Sequence, residues 1–218
     1  MRRATPERQA GEREAGEQAT ATRGEAARRR LLDAVIEHFS ERGLADQSLR
    51  QIADAAGTSH RMLLYHFGSK DGLLLAVVQE VEARTRARFT DLGAEAGGDT
   101  DELVRRMWAY LADPALAGFE RLFFALYSRA LQGDRATLPL LAGEIEDWLD
   151  ANADVSATFG IPHDTAHVHA RLGLAVTRGL LLDLLATGDR AGVDAALEVF
   201  AGRYAGRWWE AGASARAS

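Results

Sequence analysis

Apolar positions recur along this chain with the period of a helix. Leu31, Leu32, Val35, Ile36 and Phe39 fall at i, i+1, i+4, i+5 and i+8, one face of a helix that ends at Gly43. Ser48 stands where an N-cap belongs, and Leu49, Ile52, Ala53 and Ala56 come after it on one face before Gly57 stops the element. Ser59 caps a third helix reaching about Phe67. After Gly68, Ser69 caps a long helix from Lys70 to about Leu92. The stretch Gly93 to Asp99 predicts a loop by composition. Further helices are predicted at about 100–112, 115–132, 136–158, 164–187 and 190–210. The breaks between them fall at Asp113-Pro114, Gly133-Asp134, Gly160-Ile161-Pro162 and Gly188-Asp189. No sustained period-two alternation bounded by turns occurs, so no strand is expected. The prediction is an all-α chain of nine helices, three in a small head and six behind it.

The first 24 residues break the pattern, with no leucine, isoleucine, valine or aromatic residue. Residues 1–24 are therefore expected to form a disordered arm. Arg2, Arg3, Arg8, Arg13 and Arg23 in it either reach nucleic-acid phosphates or belong to a solvated tail, since glutamates accompany them. That composition cannot supply the apolar core of a signal peptide. The longest apolar stretch, Leu172 to Ala186, carries Arg178 and Asp183 and is too short to span a bilayer. A cytoplasmic protein without membrane partners is the expectation. The head is bounded at 25–69, the larger domain at 70–211, and 212–218 is a tail.

Composition sharpens this picture in two places. The chain has no cysteine, which excludes disulfides and thiolate metal sites. The net charge of −6 divides unevenly: residues 1–70 hold 12 Arg/Lys against 10 Asp/Glu, and residues 71–218 hold 14 against 22. The N-terminal third can face phosphate while the remainder repels it.

The candidate chemistry lies in Ser48 to Phe67, SLRQIADAAGTSHRMLLYHF. A helix-turn-helix needs two short helices, a turn residue tolerant of positive φ, and small residues where the helices meet. Gly57 supplies the turn, and Ala53 and Ala56 supply the close approach. Ile52, Leu63 and Phe67 can then build a small core with Leu32, Val35, Ile36 and Phe39. Thr58, Ser59, His60, Arg61, Leu64 and Tyr65 point outward on the second helix. Arg61 can grip guanine through O6 and N7, and Arg50 is a second candidate for a base or phosphate. Ser48, Tyr65, His66 and Lys70 are placed for phosphates, which set affinity and register rather than sequence choice. Lys70 is the only lysine among 26 basic side chains. It opens a helix, where the dipole mildly disfavours a cation, so a phosphate outside the helix or chance accounts for it.

Ser48 to Leu75, ending in LLYHFGSKDGLLL, resembles the DNA-binding head of the TetR family of regulators. The resemblance is close over residues 27–75 and extends to the other helices by length and order. It implies a three-helix helix-turn-helix DNA-binding head and a six-helix C-terminal dimerisation and ligand domain. It further implies a homodimer on a double-stranded palindromic operator, usually repressing, and released by a small-molecule effector. Three positions depart from the family's usual pattern. Arg61 stands where proline or a small residue is common, Met62 where Thr or Ser is common, and Leu64 where an aromatic is common. The operator of a relative therefore does not carry over.

Behind the head, Leu172, Val176, Gly179, Leu180 and Leu184 make one stripe, and Val193, Leu197, Phe200 and Tyr204 another. Paired with a second copy they form a four-helix interface; the other reading is core within one chain. Trp108, Phe119, Phe123, Phe124, Tyr127, Trp148 and Phe159 are numerous enough to line a pocket. Phe123 with Tyr127, faced by Trp148, is the preferred pair, and Trp108, His167 and Arg171 join the ligand-binding candidates. His163, Asp164, His167 and His169 have a spacing open to a metal, but the expectation is no metal and no cofactor. An enzyme is not expected: no nucleophile elbow, phosphate loop or H-E-x-x-H occurs. The rival readings are a DNA-binding regulator without a small-molecule ligand, and an activator. A packed interior favours the first rival, and a cavity of several hundred cubic ångströms on the order of known ligand sites favours a sensor.

Overall fold

The computed structural model describes residues 6–43, 47–141, 143–158 and 161–205, and their side chains except at 6–21, 144, 163, 164, 204 and 205. The chain divides into two compact units, Met1–Leu73 and Leu74–Ser218. All regular structure among the described residues is helical.

The first unit holds α1 (Pro6–Arg42), α2 (Leu49–Ala55) and α3 (His60–Phe67), then the start of α4 (Lys70–Ala96). Leu32, Val35, Ile36 and Phe39 of α1 are buried, as are Leu49, Ile52 and Ala53 of α2 and Leu63 and Phe67 of α3. Fully burying a leucine or isoleucine contributes about 1.5–3 kcal/mol, and Ile52 and Leu63 are 1% and 0% exposed. The Arg28 guanidinium sits 5.0 Å over the Phe67 ring, covering that core from the α1 side.

The stretch expected to be a disordered arm is instead helical from Pro6 onward, continuous with the rest of α1. Its alanines, glutamates, glutamines and arginines are strong helix formers without an apolar period, and proline suits a first helical turn. Residues 1–5 lie outside the described residues, as does the tail at 212–218.

The second unit holds the remainder of α4, α5 (Thr100–Leu111), α6 (Ala117–Leu131), α7 (Glu144–Thr158), α8 (His163–Thr187) and α9 (Arg190–Phe200). A 3-10 turn, Leu138–Leu140, precedes α7, and a π-helical turn, Ala201–Ala205, succeeds α9. Three boundaries differ from the sequence expectation. The loop expected at 93–99 shrinks to the turn after Ala96, because α4 runs on through Gly93. A Cβ at Gly93 would lie 2.6 Å from Val155 Cγ1, so glycine serves close approach to α7 here rather than a turn. The helix expected over 136–158 is divided: Pro139 fits only a short turn, and Gly143 at φ +86 redirects the chain before α7. The last α-helix closes at Phe200 instead of about 210, and residues 206–211 lie outside the described residues.

The main core of this unit joins Phe89, Leu92, Leu103, Met107, Trp108, Leu111, Trp148, Val155, Leu181, Val193 and Leu197. A second cluster gathers Leu75, Val78, Phe123, Leu126 and Leu140.

Candidate functional site

The head presents one exposed helix face on a firmly closed turn. Ser48 builds a capping box: its Oγ accepts the Gln51 N–H at 3.3 Å, and Gln51 Oε1 accepts the Ser48 N–H at 2.8 Å. Gly57 takes φ +65, and the Thr58 N–H then reaches back to the Ala53 carbonyl at 2.9 Å. Ser59 Oγ accepts from the Met62 N–H at 3.2 Å, opening α3. Gly68 at φ +76 ends it, and Ser69 Oγ accepts from the Gly72 N–H at 3.0 Å to start α4. Gly72 is itself demanded by packing, because a Cβ there would collide with the Phe67 carbonyl oxygen.

With Leu63 and Phe67 turned inward, His60, Arg61, Leu64 and Tyr65 stand outward, and Tyr65 is 79% exposed. Arg50 and Ser48 are exposed at the start of α2, Ser59 is exposed, and Thr58 and Lys70 are half-buried. This face offers a guanidinium, hydroxyls, an imidazole and apolar groups, the set that reads base edges and phosphates. His66 is the exception among the residues expected to meet phosphate. Its Nε2 is enclosed without a hydrogen-bond partner, and its ring lies edge-on to Tyr65 at 4.9 Å. Position 66 lies nearer the inward face than 64 or 65, so that nitrogen cannot serve as a phosphate donor.

The second unit encloses a cavity of about 160 Å³. Trp108, Phe123 and Trp148 line it. Tyr127 does not, but stacks on Phe123 at 5.4 Å and supports that wall from behind. His167 and Arg171 are not cavity residues. They border a shallow groove with Leu149, Val168, Leu172 and Ala175 on the outer side of α8. The helical period explains the correction, since His169, Ala170, Gly173, Thr177 and Arg178 take the inward face. Phe159 and the side chains of His163 and Asp164 lie outside the described residues.

Four titratable residues that the sequence did not assign to a pocket line the cavity: Glu82, Glu120, His169 and Arg178. Glu82 Oε2 accepts the Trp148 Nε1–H at 3.0 Å, and Phe89 meets the Trp148 ring edge-on at 5.9 Å. The Arg178 guanidinium lies 5.0 Å over Phe123 and 5.6 Å over Tyr127. Burial pushes the Glu120 carboxyl up to about 8, with Glu82 adding to the rise and Arg178 opposing it. Burial also lowers His169, favouring the neutral imidazole. Trp108 Nε1–H donates to Asp194 Oδ1 at 2.6 Å, fixing α5 to α9 at the cavity's edge.

The expected interface stripes are also redistributed. Val193, Leu197 and Phe200 are buried in the unit's own core, and Leu180 and Leu184 are half-buried against it. Val176 is half-buried, while the Tyr204 side chain lies outside the described residues. Leu172 and Gly179 are exposed, together with Val168, Ala175, Leu182 and Ala186. That outer row has spacings of four, three, four, three and four, the seam of a helix that pairs with another. Both faces of α8 are apolar, so period alone could not tell the inner row from the outer.

Residues 31–77 match the family described as bacterial regulatory proteins, tetR family. The transcriptional repressor NicS of Pseudomonas putida is 26% identical over 164 residues, 71% of this chain and 75% of its own length. The regulator SrpR of Pseudomonas putida is 38% identical over 77 residues, 35% of this chain, a match that spans 36% of SrpR itself. Among solved structures, a transcriptional regulator from Rhodococcus sp. Rha1 aligns with a TM-score of 0.62 at 24% identity. That alignment covers 80% of this chain and 94% of the other, and shows the shared fold. The capped helix-turn-helix within the matched stretch and the helical unit behind it agree with these likenesses. Residues 31–77 thus resemble the DNA-binding head of the tetR family of bacterial regulatory proteins, and the chain shares the fold of a solved transcriptional regulator.

Proposed function

We propose that this chain is a homodimeric repressor that binds a palindromic operator and releases it when a small molecule enters the cavity of the second unit. The observation that carries the reading is the cavity itself, a partly polar space inside an otherwise apolar core. A regulator without a ligand has no use for a Glu120 carboxyl held in such a place. At about 160 Å³ the space falls short of the several hundred cubic ångströms expected of a sensor, which limits any effector to a small one. It is close to the ~150 Å³ of an engineered cavity that takes benzene, so a guest of about one ring fits.

Twofold pairing is supported by the outer row of α8. Val168 is 68% exposed, Leu182 is 53% and Leu172 is 42%. A row of exposed valine, leucine, alanine and glycine at pairing spacing is expensive to leave in water. It carries no charge, so it is complementary to itself, as an isologous interface demands. A reader of two half-sites needs that symmetry. In the head, Arg61 is assigned to base edges, with Arg50, Ser48, Thr58, Ser59, His60, Leu64, Tyr65 and Lys70 completing the contact surface.

The test is selection of bound genomic fragments at near-physiological salt, then footprinting and a count of protomers per site. A twofold-symmetric footprint with two protomers per site is expected, released by a compound found in a one-ring effector screen. Equal binding to random DNA would overturn the reading, as would an operator complex that no cavity-binding compound disturbs.

A further inference from the structure

The cavity of the second unit carries a charge arrangement that its folding does not require. Glu82 on α4 is 9% exposed and Glu120 on α6 is 8% exposed, and both line the space. Glu82 is satisfied by Trp148. Glu120 takes no hydrogen bond from any described residue, so a buried carboxyl points into the cavity with nothing donating to it. Burying such a group without a partner costs stability unless something else meets it.

The other titratable groups facing Glu120 are few. Arg178 and His169 come from α8, and among the described residues α5, α7 and α9 present no charged side chain to the cavity. Arg178 directs its guanidinium at the faces of Phe123 and Tyr127. Its single positive charge balances one of the two carboxyl groups; the other either keeps a proton or meets a second cation. Trp108, Trp148 and Phe123 add ring surface, which attracts a cation placed over a face.

Resting on the reading of this cavity as an effector site, we propose that it takes a small organic cation, an alkyl- or arylammonium, with its charge against Glu120 and its body against the aromatic wall. The volume limits the body to about one ring. An anionic guest would have to draw Arg178 from the rings and sit beside Glu82. A neutral guest without a hydrogen-bonding group would leave the Glu120 carboxyl unmet.

Binding of such a guest is linked to a proton. With its carboxyl at about 8, empty Glu120 is mostly protonated at neutral pH. A cation binds the carboxylate, so below that value entry of the ligand expels a proton. Affinity for a permanent cation therefore rises with pH, by up to about tenfold per unit, and levels above about 8.

The experiment uses the full-length protein with three probes: phenyltrimethylammonium, its neutral isostere tert-butylbenzene, and benzoate. Tryptophan fluorescence reads binding through Trp108 and Trp148, and calorimetry in buffers of different ionisation enthalpy reads proton release. Phenyltrimethylammonium is expected to bind about tenfold or more tighter than tert-butylbenzene at pH 8, with the advantage shrinking as pH falls. Glu120→Gln is expected to remove both the advantage and the proton release while still binding tert-butylbenzene. Equal affinity of the two isosteres, preference for benzoate, cation affinity untouched by Glu120→Gln, or no binding of any probe would each overturn the cation assignment. Release of the operator by tert-butylbenzene or benzoate would leave the effector reading standing and sink the cation alone.

Discussion

Trp148 donates its indole Nε1–H to Glu82 Oε2 at 3.0 Å, joining α7 to α4 inside the second unit. Two things depend on that bond. It satisfies a buried donor and a buried carboxylate at once, and it holds a negative charge near Glu120. Glu82→Leu leaves the indole N–H unpaired and is expected to cost about 1–3 kcal/mol. Glu82→Gln keeps an acceptor and should cost much less. Thermal melts of the two variants check this; equal melting temperatures would show that the bond carries no stability.

Glu120 sets a pH dependence of a definite sign. Its carboxyl titrates at about 8 in the folded chain against 4.5 ordinarily. Between these values the folded chain holds a proton that the unfolded chain has lost, so stability falls as pH rises through the window. Glu120→Gln stays neutral throughout. It should match the wild type near pH 4.5 and melt higher by roughly several °C at pH 8. A constant difference between the two proteins across that range would refute the assignment.

Outer and inner rows of α8 and α9 should separate cleanly by mutation. Leu182→Glu places a charge on a side chain that is 53% exposed and should leave the fold intact while shifting sedimentation from dimer to monomer. Leu197→Glu buries an unpaired charge at a site 3% exposed and should unfold the unit. If Leu182→Glu sediments as wild type, the dimer lies elsewhere.

On the head, Arg61→Ala and Lys70→Ala should fail differently. Loss of a base-reading guanidinium is expected to cost about 1–3 kcal/mol and to relax preference at one operator position. Loss of a phosphate contact should weaken all sequences alike and reduce the salt slope by about one. Titrations on operator and random DNA at several salt concentrations distinguish them. Parallel losses for both variants would erase the division between reading and gripping.

The features legible in the sequence are mostly local. Ser48, Ser59 and Ser69 each announce a helix start because a hydroxyl at that position accepts an orphan N–H one turn on. Gly57 announces its turn because positive φ is nearly closed to other residues. Glu120 is hidden by its context, AGFERLFFAL, where a charge beside aromatic residues reads as the polar side of an amphipathic helix. Only the three-dimensional meeting of α4, α6 and α8 shows that Phe119, Glu120 and Phe123 share an inward face. Glu82 is hidden in the same way, three residues before buried Thr85 and four after buried Val78. Gly93 misleads because a glycine chosen for close approach and one chosen for a turn are identical in sequence. The inner and outer rows of α8 cannot be assigned from sequence because both are apolar, and phase comes only from what the helix packs against.

Lys70, at the first position of α4 and the chain's single lysine, gives each chain one side-chain amine. Acylation by an amine-reactive ester therefore has a single side-chain target on an otherwise arginine-based protein. If DNA covers the start of α4, the operator shields that target, and the mass of the intact chain before and after labelling becomes a count of occupied heads. No tag or engineered label is then needed to track operator release in solution.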